Sequence, residues 1–593
     1  MRARLRRWRI ALLATLGAAA LGFLIHAEWQ LAPLELGLAR RRPRLVAAAA
    51  GAHEALRALD AGGGAAQPAP HHGHAARASS AWAGARSRRR TSRPPAAPPG
   101  DVLSRGPHSA EAERAALPDG ALVVLSHDRA DYLRTTLGAT LGLEDISRVR
   151  VYVSLDAPVR FREMEAVVEQ VSAAAPHAVA AVWRHAPALK TARPRPLELI
   201  AAHFYAVLER ALVVLNHSHA ILLEDDLLPA PDFLSLFRAS APLLGADPTL
   251  WCVSAWNDNG LASARPPSDE LARTDFFPGL GWMVSIDEWR RTLREPWASA
   301  SVGAMSTGWD HWLRFSGLLD GRGCVFPLTP RTRHIGRRGT NVNAKEAAFL
   351  ESFALSSARA TPPDELAAAR FSAAGARGAL HGLREAAYGT FLRRLLAGEV
   401  DASGAATGHA ATPPPLVRAA DVGSGAWQPS GQLTVVVYSA EEYTLLPRAL
   451  PLWPAHARCA HAGVVRTTIA GTTVLLVDRR AGARWLPAAE RIERRADART
   501  IAARAPGVSC DRACEAEGMR CDEAQLQFAN TCAELRSHFP CEHGCGHQLG
   551  DEIPCYVTDR ARDTSLVCLH SDVVSKCAAA FRSTTRLCVC VPA

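Results

Sequence analysis

The sequence predicts an α/β fold built on a parallel sheet, followed by a smaller β-rich unit and a disulfide-stapled tail. Three observations carry that expectation. Short β-rich runs alternate with helical stretches from Leu117 onward. A second β-rich patch follows a Pro/Ala-rich break from Ala402 to Pro415. Finally, 11 of the 14 cysteines fall between Cys510 and Cys590, as in a compact module of an oxidising compartment. At 593 residues the chain is too long for one core, so two or more domains are expected.

The net charge of +10 invites a nucleic-acid reading. Residues 1–100 hold 16 Arg against 4 acidic residues, and the rest of the chain carries −2. The excess belongs to the N-terminal segment, and nucleic acid is not an expected partner. That segment opens "MRARLRRWRIALLATLGAAALGFLIHAEW", five arginines before an apolar stretch from Ile10 to Ile25. A cleaved signal peptide shares this layout, with "GAAALG" as small residues for cleavage. Bulky Phe23, Leu24 and Ile25 and the flanking Trp8 and Trp29 favour an uncleaved signal anchor. The expected division is a cytoplasmic tail (1–9), a transmembrane anchor (10–27) and a flexible Ala/Arg/Pro/Gly/Ser-rich stem (28–116). His71, His72 and His74 sit in that low-complexity stem and read as solvated sequence rather than a metal site.

Within an expected first domain (117–400), "ALVVLSHDR" and "VRVYVSLDA" read as strands with the helical "DYLRTTLGATLG" between them. The amphipathic "RPLELIAAHFYAVLERALVVL" then leads into the strand "AILLEDD". In parallel sheets ligands sit at the carboxyl ends of strands, and these three end at Arg129, Asp156 and the acidic run 224–226. A smaller unit (416–487) contains "QLTVVVYS" and "VVRTTIAGTTVLLVD". A charged helical linker is expected around Ala488 to Ala505, ahead of a cysteine module (506–593). "CEHGCGH" raises zinc as an alternative to disulfides, but paired metal-ligand units at regular spacing are missing, so disulfides are expected, with at least one thiol left over.

Glu224, Asp225 and Asp226 supply hard oxygen ligands for a divalent cation and acceptors for sugar hydroxyls, held in fixed directions by a strand. An acidic triplet alone is more often a solvated turn or a helix start, and "APDF" puts Asp232 near such a start. This triplet gains weight by following the apolar "AILL" and by standing third among polar strand ends.

The run "ILLEDDLLPAPDFLSLFRASAPLLGADPTLWCVSAWNDNG", followed by "RTDFFPGLGWMVS", resembles N-acetylglucosaminyltransferase I and the related O-mannose enzyme, members of glycosyltransferase family 13. The resemblance implies a GT-A fold, a Rossmann-like mixed sheet flanked by helices, with a small β-rich subdomain. It implies UDP-N-acetylglucosamine as donor, Mn²⁺ as cofactor, inversion at the anomeric carbon and a mannose-terminated glycoprotein acceptor. It further implies a single-pass type II protein of the Golgi membrane with a lumenal catalytic domain. By position, Asp226 would ligate the metal, and Glu224 and Asp225 would contact the sugar nucleotide. Arg129, Asp156 and His203 would hold the uridine end, and Asp310 in "WDHW" would be the catalytic base. Gly339 and Thr340, in "GRRGTN", would close over the donor. Cys252 and Cys324 match family cysteines and are expected to bond.

Each role has a plainer competitor: a core histidine at His203, a helix cap at Asp310, and, against an acceptor-contacting role for Trp256, Asn257 and Asp258, a simple turn. Two further family cysteines are replaced here by His127 and Ala157, together, as if one disulfide had been dispensed with. "GTNVN" leans toward the O-mannose enzyme and "RTDFFPGLGW" toward transferase I, so the acceptor is less defined than the donor. The tail, closing on "RLCVC", is similar to the cysteine-rich appendage of N-acetylglucosaminyltransferase V-type enzymes. A non-catalytic glycan-binding protein is the rival from another class. Asn216-His217-Ser218 is a glycosylation sequon beside a core strand.

Overall fold

Strands β1 (Gly120–Ser126), β2 (Arg150–Leu155), β3 (Val179–Arg184) and β4 (His219–Glu224) lie parallel in the order 3-2-1-4. Ala121 to Val124 of β1 are fully buried. A strand covered on both faces reads as a continuous apolar run, which is what "ALVVL" is. Its side chains still alternate: Leu122 and Val124 enter one hydrophobic core, Ala121 and Val123 the other. Helices α1 (Ala130–Leu141), α2 (Phe161–Ser172) and α3 (Pro196–Leu208) connect these strands. α1 buries Leu133 and Leu137, one helical turn apart, under the sheet.

This computed structural model describes residues 120–593, apart from 145, 174, 176–177, 187–194, 301–304, 306–307, 340–341, 358–381 and 409–410. The expected tail, anchor and stem, and Thr340, lie outside the described residues. No described helix is long and apolar enough to cross a membrane.

Beyond β4 the sheet is no longer purely parallel. β6 (Leu250–Ser254), β7 (Leu271–Thr274), β8 (Trp282–Ser285) and β9 (Gly323–Pro327) extend it to eight strands, with β8 antiparallel to both β4 and β6. A two-stranded ribbon of β5 (Leu227–Pro229) and β10 (Thr332–His334) stands off its carboxyl end. This is the GT-A arrangement that the resemblance implied. α4 (Phe233–Ala246) follows β5, with Asp232 at its N-cap position, where it pairs with buried Arg331. Cys252 and Cys324 are disulfide-bonded across β6 and β9.

The smaller unit is a five-stranded sheet: β11 (Leu416–Arg418), β12 (Leu433–Tyr438), β13 (Ala460–His461), β14 (Val464–Ile469) and β15 (Thr472–Asp478), in the order 11-12-15-14-13. It shares a hydrophobic core with the large sheet, since Val435, Val437 and Leu475 cluster with Leu122 and Val253.

One expectation fails between Ala488 and Ala505. The stretch is not the anticipated helical linker; its "RTIA" forms β16 (Arg499–Ala502), antiparallel to the closing strand β21 (Thr584–Pro592). β21 is buried nearly throughout and needs partners on both edges, and that requirement overrides local charge and helix propensity. The cysteine module therefore starts by residue 499. Its other strands are β17 (Met519–Cys521), β18 (Cys545–His547), β19 (Cys555–Val557) and β20 (Cys568–His570). Five disulfides hold it, Cys510–Cys588, Cys514–Cys590, Cys521–Cys577, Cys532–Cys545 and Cys541–Cys568, leaving Cys555 as its free thiol. "CEHGCGH" thus spends its cysteines on two disulfides, not on zinc.

Candidate active site

The carboxyl ends of β1, β2 and β4 converge because the strands are parallel and in register. The backbone ladder runs one residue past β4, Asp225 N donating to Leu125 O at 2.9 Å. Asp226 O in turn accepts from Ile335 N at 2.8 Å. The acidic residues are thus fixed from both sides.

Arg129 holds two of them. Its guanidinium donates to Asp226 Oδ2 at 2.7 Å and to Asp225 Oδ1, and its other polar contact is Arg338 O at 3.2 Å. Ser126 Oγ donates to Asp225 Oδ2 at 2.5 Å, and Thr136 Oγ1 donates to Asp225 O at 2.6 Å. Even so, burial and the neighbouring Asp226 charge push Glu224 up to about 8, and burial pushes Asp225 up to about 7 against the pull of Arg129. Three carboxylates share one guanidinium, so the cluster is short of positive charge.

Asp156 ends β2 between two imidazoles. His127 Nδ1 lies 2.6 Å from Oδ1, and His203 Nδ1 lies 3.3 Å from Oδ2. Burial disfavours the charge, but these contacts win and hold Asp156 well below the usual carboxylate range. His203 is buried on α3, with Nε2 2.8 Å from Ser154 Oγ and its ring stacked on His185 at 5.3 Å. It is both a core histidine and a neighbour of the strand-end acid. His127, standing at a family cysteine position, takes the role of a partner to Asp156.

β10 brings in residues that the sequence pattern did not single out. Its register sets His334 opposite Leu227, so Nε2 comes within 3.7 Å of Asp226 Oδ2, while Nδ1 is buried without a hydrogen-bond partner. Gly336 follows, and a Cβ there would sit 2.9 Å from the same carboxylate oxygen. Arg338 pairs with Asp131, and Arg337 N donates to Tyr132 Oη at 2.8 Å, so residues 336–339 are docked on the start of α1 beside Arg129. Gly339 lies in this docked segment, its Cα-side space bounded by Arg129 Nη1.

Asp310 is in the first turn of helix α5 (Trp309–Phe315). Trp309 and Trp312 bury the helix, while the Asp310 side chain stays 41% exposed. Its charge reaches Glu224 and adds to the repulsion there. Arg314, one turn on, donates to Asp310 Oδ2 at 2.6 Å and to Phe277 O at 2.8 Å. Burial opposes ionisation, but Arg314 and His311 outweigh it and lower the Asp310 pKa. Asp310 is thus an anion held by a cation.

The residues present fit a divalent metal. A carboxylate oxygen and an imidazole nitrogen face each other at Asp226 and His334, the backbone at Gly336 leaves room beside them, and the acidic cluster is under-neutralised. By contrast Trp256, Asn257, Asp258 and Asn259 face inward. Asn259 bonds Arg458 O and Trp453 N, and Asp258 pairs with Arg458, so this turn fastens the smaller sheet and presents nothing to an acceptor. Asn216 of the sequon is exposed, in a left-handed turn before β4.

Residues 108–356 match the model of the GNT-I family. A relative from Arabidopsis thaliana, alpha-1,3-mannosyl-glycoprotein 2-beta-N-acetylglucosaminyltransferase, is 31% identical over 247 residues, 40% of this chain and 52% of its own length. The chain thus spans about half of that relative. Among solved structures, a mannosyltransferase from Pyrobaculum calidifontis in complex with GDP-Man and Mn²⁺ is similar at 15% identity and a TM-score of 0.25, over 37% of this chain and 58% of that one. Glucosyl-3-phosphoglycerate synthase from Mycobacterium tuberculosis, in complex with Mn²⁺, UDP and phosphoglyceric acid, is similar at 15% identity and a TM-score of 0.19, over 30% and 58%. The cysteine module lies wholly outside the family match.

Proposed function

We propose that this chain, whose residues 108–356 match the GNT-I family model, transfers N-acetylglucosamine from UDP-N-acetylglucosamine to a terminal mannose of a glycoprotein glycan, with inversion and with Mn²⁺ as cofactor. The observation that carries this reading is the pairing of two anionic centres of different design: an acidic cluster short of positive charge at the end of β4, and Asp310 kept ionised by Arg314 within electrostatic reach of it.

Asp226 and His334 would hold the metal, which supplies positive charge for the diphosphate leaving group. Every other role falls to side chains. Asp156, oriented by His127 and His203, accepts hydrogen bonds from the uridine end. Glu224 and Asp225 meet donor hydroxyls. Arg129 fixes the acid pair and, with the docked segment ending at Gly339, limits water around the donor. Asp310 takes the proton of the acceptor hydroxyl as its oxygen bonds to the anomeric carbon and the bond from that carbon to UDP breaks on the opposite face. Residues 10–27 would anchor the chain in the Golgi membrane with the catalytic domain in the lumen.

The test is transfer by the full chain from UDP-N-acetylglucosamine, with Mn²⁺, to a panel of mannose-terminated acceptors. Asp310→Asn is expected to lower kcat by about 10²–10⁴ with UDP binding retained, and Asp226→Ala to abolish metal-dependent UDP binding. Glycan binding without transfer to any acceptor would sink the proposal in favour of a lectin-like protein.

A further inference from the structure

The cysteine module is seated directly on the helix that carries Asp310. α5 ends at Phe315, and its last carbonyls need partners. The module supplies them. Arg536 Nη2, on helix α6 of this region (Cys532–His538), donates to Ser316 O at 3.2 Å, and His570 Nε2 lies 3.1 Å from Phe315 O. The Phe315 ring stacks on His547 at 4.5 Å. Gly317 has no room for a side chain, since a Cβ there would come within 2.5 Å of Cys532 Sγ.

Beside this seat a cleft of about 360 Å³ opens between the module, the smaller sheet and the large domain. Phe276, Arg314, Tyr438, Gln527, Asn530 and Asp572 are among its lining residues, drawn from all three parts. Arg314 is the same guanidinium that holds Asp310, so the cleft begins one side chain from the proposed base. Its wall combines aromatic rings with amide, hydroxyl and carboxylate groups, the mixture that recognises hydroxyl-rich ligands with an apolar face. Five carboxylates against two guanidiniums line it, which disfavours phosphate, sulfate or any acidic sugar.

We propose that this cleft is a subsite for an uncharged oligosaccharide, the part of the acceptor glycan beyond the mannose that receives the new sugar. The proposal rests on the transferase reading of Asp310. It makes the cysteine module a determinant of acceptor choice, which a module serving stability alone would not be.

The experiment compares a short and a long acceptor, α-methyl mannoside and a branched mannopentaose, on the full chain carrying Ala440→Trp or Gln527→Ala. Ala440 is an exposed lining residue whose enlargement fills the cleft, and Gln527 spends its amide only on a local carbonyl. The expected result is a KM for mannopentaose raised about tenfold by Ala440→Trp and severalfold by Gln527→Ala, with kcat, the KM for α-methyl mannoside and the melting temperature unchanged. Unchanged KM for mannopentaose, or equal loss with both acceptors, overturns the subsite. Calorimetric binding of mannopentaose to the wild type and to Ala440→Trp separates the two proposals. If no sugar is transferred but mannopentaose binds and Ala440→Trp abolishes binding, the subsite stands and the transferase reading falls. If the two proteins bind alike, the subsite falls whatever the activity.

Discussion

Under the proposed function, Asp310 and Arg314 form the pair on which the chemistry would turn. Arg314 keeps Asp310 ionised and aimed, yet it also competes for the lone pairs that must receive a proton. Replacing it separates the two effects. Arg314→Met removes the cation that lowers the Asp310 pKa, so that pKa rises. The acid limb of the kcat/KM profile, set by the ionised base, is then expected to move to higher pH, with kcat at neutral pH falling about tenfold or more as the carboxylate loses its orientation. A pH–rate profile whose acid limb stays in place would show that Asp310 is not the group being titrated. The residues of this site were legible in unequal degree. Strand ends that point polar groups out of apolar runs announced Arg129, Asp156 and the 224–226 cluster. His334 and Ser126 carried no such announcement, because a lone histidine in "RTRHIG" and a serine at a strand end become partners of Asp226 and Asp225 only through strand register. Arg314 was one helical turn from a singled-out aspartate, a spacing that could have found it.

Elements place these residues, and α5 does so with little tolerance. Gly308 precedes it at φ +118°, a backbone conformation that side chains resist, and a Cβ there would lie 2.8 Å from Asp310 Oδ1. Gly308→Ala is therefore expected to cost about 1–3 kcal/mol from the backbone conformation and to displace the carboxylate. Activity should fall well beyond what the drop in melting temperature explains; full kcat in a folded Gly308→Ala protein would show that α5 absorbs the change elsewhere. The parallel half of the sheet was plain in the sequence because doubly covered strands leave unbroken apolar runs separated by helices. The antiparallel half was not, since β7 and β8 are four residues each, too short for a period to show. β16 was masked by its charge. "ARTIAARA" has the composition of a helix and becomes a strand because β21 lacks an edge partner without it.

Across the whole molecule, the cysteines and the module seat set how the protein responds to its surroundings. Twelve cysteines are paired, and the remaining two, Cys459 and Cys555, are buried, with burial pushing the Cys555 thiol up to about 12 and Cys459 far above its ordinary value. Iodoacetamide is expected to modify neither in the native protein and both, with no others, after denaturation without reductant; mass spectrometry reads the count directly. The seat of the module adds a pH response. Burial, reinforced by neighbouring His547, lowers His570 to about 4 from an ordinary 6.5. Between those values the unfolded chain binds a proton that the folded one refuses, so the contribution of His570 to stability falls as pH drops from about 6.5 to about 4, while Glu224 and Asp225, raised by burial, act in the opposite direction. A shift of that size is bounded at ~3 kcal/mol. His185, also lowered to about 4 by burial, acts in the same direction and window. Asp572, which contacts His547 and His456, is held below its usual range and adds a further loss only under more acid conditions. His570→Gln keeps a donor for Phe315 O and does not titrate, so the melting-temperature difference between it and the wild type should shift in favour of His570→Gln as pH drops from 6.5 to 4.5, the other titrating groups being common to both proteins. Parallel slopes for the two proteins would mean that the junction between module and α5 takes up protons without loosening.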